Sequence, residues 1–344
     1  MASFPLTRRE FLAAGLGRAA TATSTIRVAA IQMTAELGNV EANLAKAERL
    51  VRDAIRRRAQ WVILPEFFAS GMVFHPEMAN AVQAADGAPA QLLRKLARQG
   101  KAIVGGSFLA WRDGNVYNTF VLALPDGRTP RHDKDQPTFW ENCYYVGGED
   151  DGVLSTPQGN VGAALCWEFI RSKTAARLKD KVNMVVGGSC WWTARDSDPV
   201  DHPFRTRGLE MLNAAPGTLA RILGVPVVHA SHAGKFVGQS WPGEPVPYPS
   251  HYLGETQIVD GRGEVLARMS HQEGEGVITV DVSRGSVGGA QLPIPDRFWI
   301  PEFSEGLNRQ WHSALKSGHQ YYLSTTLPYL QRRFARQPRK RTER

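Results

Sequence analysis

The sequence predicts an α/β protein with a mixed β-sheet, and three observations support this fold class. Strand-like segments alternate with helical segments, but some strand-like segments also follow one another directly. Hydrophobic residues make up 42% of the 344 residues and charged residues 22%, as in an ordinary folded chain. No Gly/Ser-rich linker and no repeat of fixed period interrupts the sequence. We therefore expect one main domain over residues 26–300.

The first elements follow from hydrophobic periodicity. Ile26–Met33 is apolar and rich in β-branched residues, which predicts a buried strand. Residues 39–60 have apolar positions at helical spacing, with Arg and Lys filling the other face. Trp61–Leu64 is predicted as a second strand, and Ala90–Gln99 as a second helix that ends before a glycine.

The later elements are predicted in the same way. Further strand candidates are Ala102–Leu109, Tyr117–Leu124, Val161–Leu165, Met184–Gly187, Val225–Ala230, Thr256–Val259 and Val277–Val282. A long helix is predicted over Arg205–Leu223 and a short one over 171–180. The Pro- and Gly-rich segment 238–254 is predicted to be one long loop.

Residues 1–25 form a basic N-terminal segment that has two interpretations. Thr7-Arg8-Arg9-Glu10-Phe11-Leu12 resembles a twin-arginine export signal, and Ala20-Thr21-Ala22 would suit a cleavage site. The apolar stretch between them is short and is interrupted by Arg18, which favours a short basic helix that stays with the domain. We expect a cytoplasmic protein, with export as the alternative.

Residues 301–344 are predicted to form an extended arm and a basic tail. Seven of the last thirteen residues are Lys or Arg, so this tail carries most of the net charge of +8. A solvated tail is the plainer interpretation, and binding to nucleic acid or anionic lipid is the alternative. Because the rest of the chain is nearly neutral, we expect no nucleic-acid partner. Nor do we expect a membrane partner, since no apolar run approaches the roughly 20 residues of a spanning helix.

Cys166 is the candidate nucleophile. A strand of small residues ends at Leu165, directly before Cys166, and Trp167-Glu168 follows. A cysteine on a strand-to-helix turn exposes its sulfur and places the next backbone N–H groups near a developing oxyanion. The alternative is a buried structural cysteine. A disulfide framework is excluded, because three cysteines are too few to build one.

Three charged residues offer the groups that such a nucleophile needs. Glu66 lies in the apolar segment Leu64–Phe68, where desolvation would raise its pKa toward the range of a general base. Lys134 precedes Glu141 by seven residues, with a Pro-Thr turn between them, and its ammonium group can stabilise an oxyanion. Taken singly, these residues have alternatives: a surface acid on a loop for Glu66, and a charged hairpin end for Lys134.

Together, and in this order, the four positions resemble the nitrilase, or carbon–nitrogen hydrolase, superfamily. The resemblance covers residues 26–285. Its motifs are IRVAAIQM, LPEFF, HDKDQPTFWE, GAALCWE, GVPVVHASHAG and GETQIVDGRGEVLA. It implies a four-layer αββα sandwich that is usually paired into an eight-layer dimer, so we expect a homodimer or a larger homo-oligomer.

The resemblance also implies a catalytic set. Glu66 would be the general base, Lys134 the oxyanion stabiliser and Cys166 the nucleophile, and Glu141 would orient the substrate or the hydrolytic water. The thiolate would attack a small-molecule amide or nitrile, and water would then release the acid from the enzyme. This chemistry requires no metal and no organic cofactor, so we expect neither.

Within the superfamily, an amidase is the first expectation. Pro137-Thr138 and the acidic segment 148–152 are similar to true nitrilases, which makes a nitrilase the alternative. Asn142, Tyr145-Val146 and Phe169 stand where nitrilases usually have Arg, a Trp-Gly pair, and Asn or His. A catalytically idle binding protein of the same fold is a second alternative, against which the presence of all four chemical residues argues.

Aromatic residues near these motifs are the candidate substrate-binding residues. Trp191 and Trp192 follow the strand after the nucleophile strand, and Trp167 comes directly after Cys166. Phe67 and Tyr144 lie close in sequence to the two glutamates. So many rings favour an apolar or aromatic acyl group, and simple packing of the sheet edge is an equal alternative.

Two further groups could in principle hold a metal ion. His229 and His232 are three residues apart but have no third partner nearby in sequence, so we expect structural roles for them. The cluster Glu149–Asp151 is more simply an acidic turn.

Overall fold

The computed structural model describes residues 25–241, 244–285, 292–296 and 305–336. Residues 1–24 of the basic N-terminal segment, for which an export signal was the alternative, and the last part of the basic tail lie outside the described residues. Within these ranges, none of the helices combines the length and the apolar character that crossing a lipid bilayer requires.

The strands confirm the predicted α/β class. They are β1 (Thr25–Met33), β2 (Trp61–Ile63), β3 (Gln83–Ala84), β4 (Ile103–Arg112), β5 (Asn115–Ala123), β6 (Arg131–Asp133), β7 (Val153–Thr156), β8 (Gly159–Leu165), β9 (Val185–Ser189), β10 (Val227–Trp241), β11 (Glu244–Leu253), β12 (Thr256–Val259), β13 (Val265–Met269) and β14 (Gly276–Ser283).

The helices separate these strands or follow them. They are α1 (Val40–Arg56), α2 (Ala88–Gly100), α3 (Ser172–Leu178), α4 (Pro203–Leu223), α5 (Glu305–Tyr321) and α6 (Leu327–Ala335). A π-helical turn over Tyr322–Thr326 joins the last two. Short 3₁₀ helices cover Pro76–Ala81, Phe139–Cys143, Cys166–Ile170 and His271–Glu273.

The strands form two sheets that meet along one short ladder. One sheet has the order β14-β1-β2-β4-β5-β6, and the other has the order β13-β12-β10-β9-β8-β7. They are joined where the end of β1 pairs in parallel with β10, Gln32 opposite Ser231 and Met33 opposite His232. The carboxyl ends of the parallel strands β1, β2, β8, β9 and β10 therefore lie at the same side of the molecule.

Alternation along the strands creates the four layers. In β1, Val28 and Ala30 face the other sheet, whereas Ala29 and Ile31 pack against α1 and α2. The apolar faces of α3 and α4 cover the outer face of the second sheet. The layer order is thus helices, sheet, sheet, helices, which is the expected αββα sandwich.

The segment predicted as a loop over 238–254 is instead largely a β-hairpin. β11 pairs antiparallel with β10, and the pairing runs from Ala233 opposite Leu253 to Trp241 opposite Glu244. The prolines of this segment suggested a loop, because proline cannot donate a ladder hydrogen bond. Pro247 and Pro249 are two residues apart on β11, and the Pro249 carbonyl oxygen accepts the Asp196 backbone N–H at 2.9 Å, so the backbone groups of both prolines face away from β10.

The expected extended arm after residue 300 is also different in the structure, since residues 305–335 are helical. Four short strands, β3, β6, β7 and β13, were not predicted either. Each has only two to five residues, which is too short for a clear periodic pattern, and each is held in place by pairing with a neighbouring strand.

Candidate active site

The four predicted catalytic residues meet at one edge of the sandwich, and three of them follow strands. Glu66 comes three residues after β2, Lys134 follows β6 and Cys166 follows β8. Glu141 lies on the 3₁₀ helix Phe139–Cys143. All four side chains are buried.

Lys134 joins the two glutamates. Its Nζ donates to Glu66 Oε1 at 2.9 Å and to Glu141 Oε2 at 2.7 Å. Glu141 Oε2 also accepts hydrogen bonds from the Thr138 backbone N–H at 2.9 Å and from the Tyr145 hydroxyl. Burial acts to lower the pKa of Lys134, but the two carboxylates outweigh it and raise that pKa well above its ordinary value. The lysine is therefore a fixed positive charge between two acids.

Glu66 is held from three further directions. Oε1 accepts from Asn118 Nδ2 and Oε2 accepts from the Cys190 backbone N–H, both at 2.9 Å. The backbone carbonyl of Glu66 lies 2.8 Å from His232 Nε2. Burial raises the pKa of the Glu66 carboxyl to about 7, while Lys134 opposes that rise. A carboxyl with such a pKa can both accept and return a proton near neutrality.

Cys166 lies on a strained turn between strand and helix. Its φ angle is +51°, and the 3₁₀ helix that follows begins at Cys166 itself. Its Sγ and carboxylate oxygens of Glu66 and Glu141 lie within 4.8 Å of one another. Burial, together with the Glu66 carboxylate, raises the pKa of the thiol well above its ordinary value, and the Trp167 backbone N–H lowers it. The resting sulfur therefore carries its proton and requires a base to remove it.

A second buried cluster of charged residues stabilises the turn at Cys166. Glu168 accepts from the Leu165 backbone N–H at 2.8 Å and from the Asp135 backbone N–H at 3.0 Å. One carboxylate thus joins the residue before Cys166 to the residue after Lys134. Arg177 Nη2 donates to the same carboxylate at 2.9 Å. The spacing between nucleophile and lysine therefore depends on a group that sequence reasoning did not single out.

His132 completes this cluster. Its Nε2 lies 3.0 Å from Glu168 Oε2, and its Nδ1 contacts Asp150 Oδ1 at 2.5 Å. Burial acts to lower the pKa of His132, but Glu168 and Asp150 raise it to about 9. The acidic segment that includes Asp150 therefore has a structural role, because Asp150 also accepts the backbone N–H groups of Asp133 and Gly152.

A narrow aromatic pocket opens beside the sulfur. Three predicted wall residues, Trp167, Trp191 and Trp192, line it, and the other lining residues are Thr138, Phe139, Glu141, Cys166, Cys190 and Phe204. Its cavity volume is about 10 Å³, roughly the least that admits a single water molecule. Within the described part of the chain, Thr138 Oγ1 is buried and has no hydrogen-bond partner, so the pocket contains one available hydroxyl group.

The other two predicted wall residues lie outside this lining. Phe67 packs against Tyr145, with ring centroids 6.0 Å apart. Tyr144 stacks on Phe74, and its hydroxyl donates to the His75 carbonyl oxygen at 2.7 Å. Both residues were predicted to line the pocket because they are close in sequence to a glutamate. In the structure, their rings instead pack into a buried aromatic cluster behind the pocket.

The remaining candidate ligands have partners within the protein. His229 Nε2 lies 2.8 Å from Ser189 Oγ, and His232 Nδ1 lies 3.1 Å from the Met33 carbonyl oxygen. Burial lowers the pKa of both histidines to about 4. The donor atoms of Glu66, Glu141 and Cys166 are close enough to hold a cation, but the Lys134 ammonium already bonds to both carboxylates.

Sequence reasoning missed Asn118, Cys190 and Tyr145 as partners of the two glutamates. Cys190 acts through its backbone N–H, which no residue type signals. Asn118 faces the same layer as its buried neighbours on β5, so a buried amide inside a predicted strand was the signal that could have identified it.

Comparison with known proteins decides the family. A family model described as carbon-nitrogen hydrolase matches residues 27–291. The chain belongs to the carbon–nitrogen hydrolase family. This hydrolase is 27% identical over 269 residues to a nitrilase of Pyrococcus abyssi, a match that covers 75% of this chain and 90% of that protein. It is 30% identical over 172 residues to an omega-amidase of Xenopus laevis, covering 43% of this chain and 61% of the relative.

Solved structures agree on the fold. A carbon–nitrogen hydrolase from Helicobacter pylori G27 superposes with a TM-score of 0.64 at 17% identity, covering 75% of this chain and 89% of the other. A cysteine-to-alanine mutant of the amidase from Nesterenkonia sp. AN1, in complex with butyramide, superposes with a TM-score of 0.60 at 19% identity, covering 76% of this chain and 92% of the other. The expected superfamily and the αββα sandwich are confirmed, and the protein is a carbon–nitrogen hydrolase enzyme.

Proposed function

We propose that this hydrolase is an amidase that converts a small amide to a carboxylic acid and ammonia through a thioester on Cys166. The observation that carries the proposal is the Glu66 carboxyl, which shares a buried site with the sulfur and has a pKa raised to about 7. An amide nitrogen leaves as ammonia only after it has been protonated. A buried acid–base group with a pKa near neutrality meets that requirement.

In the first half of the reaction, Glu66 takes the proton of the Cys166 thiol while the sulfur bonds to the carbonyl carbon. The carbonyl electron pair moves onto oxygen. Among the described residues, two of the three ammonium hydrogens of Lys134 are engaged by the carboxylates, so one remains for that oxygen. The Trp167 backbone N–H, which is directed at the sulfur, is a second donor. Glu66 then gives its proton to nitrogen, the C–N bond breaks and ammonia leaves.

In the second half, Glu66 removes a proton from water, and the hydroxide adds to the thioester carbon. The C–S bond breaks, the acid leaves and Glu66 returns the proton to sulfur. Glu141, fixed by Lys134, Thr138 and Tyr145, orients the substrate or this water. The free Thr138 hydroxyl offers a hydrogen bond to the amide group.

Ammonia release from matched substrates tests the proposal. The substrates are butyramide with butyronitrile and benzamide with benzonitrile, and the proteins are wild type, Cys166→Ala and Cys143→Ala. Cys143 is a matched control, because it is equally buried but lies in the aromatic cluster behind the pocket. We expect release from an amide, loss in Cys166→Ala and retention in Cys143→Ala.

Nitrile conversion is the second candidate, supported by the similarity to the Pyrococcus abyssi nitrilase. The position after Cys-Trp-Glu favours the amidase instead. Phe169 is fully buried there and packs edge-on against His229, with centroids 4.9 Å apart, so it offers the site no polar group. Ammonia from nitriles alone would replace the proposal with a nitrilase. Ammonia from neither member of the pairs would direct the search to carbamoyl substrates and would strengthen the alternative of a catalytically idle binding protein.

A further inference from the structure

Helix α5 places a residue, Trp311, directly behind the pocket. Trp311 stacks on Trp167, with ring centroids 4.5 Å apart and planes 9° apart. It also meets Phe139 edge-on, at 5.5 Å and 70°. Trp167 and Phe139 both line the pocket, so one indole supports two of its walls. Trp311 lies beyond residues 27–291, the part of the chain that the family model matches.

Helix α5 is closely docked on the 3₁₀ helix that carries Glu141. At Gly318, an added Cβ would lie 2.7 Å from Asn142 Cβ, so the two helices touch where glycine leaves room. Thr326 Oγ1, in the turn after α5, donates to the Cys143 carbonyl oxygen at 2.6 Å. Because α5 is docked in this way, the Trp311 side chain is buried, with 7% of it exposed.

This arrangement limits where the pocket walls can move. The cavity beside the sulfur is narrow, about 10 Å³, so the size of the acyl group that fits there depends on the positions of the rings around it. Phe139 and Trp167 cannot shift toward Trp311, because buried rings in contact resist compression. The guanidinium carbon of Arg171 lies 6.0 Å from the Trp311 ring, and Arg171 is itself paired with Asp135, next to Lys134.

We propose that Trp311 is a specificity-determining residue that restricts the acyl group of the substrate to a small one. It acts from behind Trp167 and Phe139, by preventing these two rings from moving apart. The inference rests on the proposed function for the amide leaving group, but it concerns the acyl side, which an amide and the corresponding nitrile share.

The test compares kcat/KM for butyramide and benzamide in wild type, Trp311→Ala, Trp311→Phe and Phe334→Ala. Phe334 is a matched control: it docks the neighbouring helix α6 by stacking on Trp111 at 5.1 Å and does not line the pocket. We expect Trp311→Ala to raise the benzamide-to-butyramide ratio at least about tenfold, a typical effect of a hydrophobic pocket on substrate choice. Trp311→Phe should give a smaller change, and Phe334→Ala should leave the ratio unchanged.

A second readout does not require turnover. The rates at which iodoacetamide and N-phenyl iodoacetamide alkylate Cys166 are compared by peptide mass spectrometry, which separates Cys166 from Cys143 and Cys190. Trp311→Ala should selectively increase the rate with the phenyl reagent. If both ratios stay at wild-type values in folded Trp311→Ala and Trp311→Phe, the specificity role is wrong. If wild type acts on nitriles instead of amides and Trp311→Ala still changes the ratio of the two alkylation rates, only the amidase proposal fails.

Discussion

Replacement of Lys134 by Met tests the charge balance of the site most directly. The ammonium donates to Glu66 at 2.9 Å and to Glu141 at 2.7 Å, and the exposed fraction of all three side chains is 3% or less. Methionine keeps most of the apolar stem and removes the charge. Two buried carboxylates then face each other without their cation, which is the costly way to break a buried ion pair.

The expected loss of unfolding free energy is about 3–5 kcal/mol at pH 8, the range observed when one partner of a buried pair is removed. The loss should shrink as the pH falls. Without Lys134, the pKa of Glu66 rises further above its present value of about 7, whereas an unfolded glutamate has a pKa of 4.5. Between these values the folded variant binds a proton that the unfolded chain does not, so its stability decreases as the pH rises.

Activity should fall for a separate reason. Lys134 is the cation available to the oxyanion, and loss of one such donor lowers kcat by about 10²–10³-fold. The double variant Lys134→Met/Glu141→Gln separates the two effects, since it removes one of the facing carboxylates. It should recover much of the stability at pH 8 but none of the activity.

Urea unfolding at pH 5.5 and 8, together with ammonia release, provides the assay. The reasoning would be refuted if Lys134→Met lost less than about 1 kcal/mol at pH 8, within the range of an ordinary surface change. It would also be refuted if the loss were equal at the two pH values, or if the double variant were active.

Three further predictions follow from the site and its supports. First, wild-type kcat/KM should fall below pH 7 as Glu66 becomes protonated in the free enzyme. Glu66→Gln should lower kcat by about 10²–10⁴-fold and abolish this pH dependence. A wild-type kcat/KM that is flat from pH 5 to 9 would contradict the prediction. Second, His132, whose pKa is raised from 6.5 to about 9, should stabilise the fold fully below pH 6.5 and lose that contribution as the pH rises through 9. Wild type and His132→Gln should therefore differ in urea stability at pH 6 and converge toward pH 10, and a constant difference would show that another interaction is responsible. Third, we expect a homodimer or larger homo-oligomer, and a monomer mass in solution scattering would reject it.

Much of the fold could be predicted because its signals are local. In β1, residues of opposite parity face different layers, and that alternation is visible in the sequence itself. Helix α1 begins after Asn39, whose side chain accepts from the Ala42 backbone N–H at 3.2 Å, a capping signal that is also local. Where the local signal was weak or misleading, the prediction failed, as in the proline-containing β11 and the helical residues after 304.

The sequence by itself determined the residue types of the site and the strands that precede Glu66 and Cys166, whereas β6, which precedes Lys134, was not predicted. A cysteine after a small-residue strand, a glutamate after an apolar strand and a Lys–Glu pair around a Pro-Thr turn were all recognisable from short segments. In the structure, the parallel strands place their carboxyl ends at one edge, and this brings Glu66 and Cys166 together.

Only the tertiary structure decided which atoms touch. Lys134 and Glu66 are 68 residues apart, and the backbone N–H of Cys190 reaches Glu66 across 124 residues. Such contacts depend on how two sheets and their loops pack, and local periodicity has no information about that packing. The same reason applies to Glu168, which links the nucleophile turn to Lys134, and to Trp311, whose position behind the pocket depends on where α5 docks.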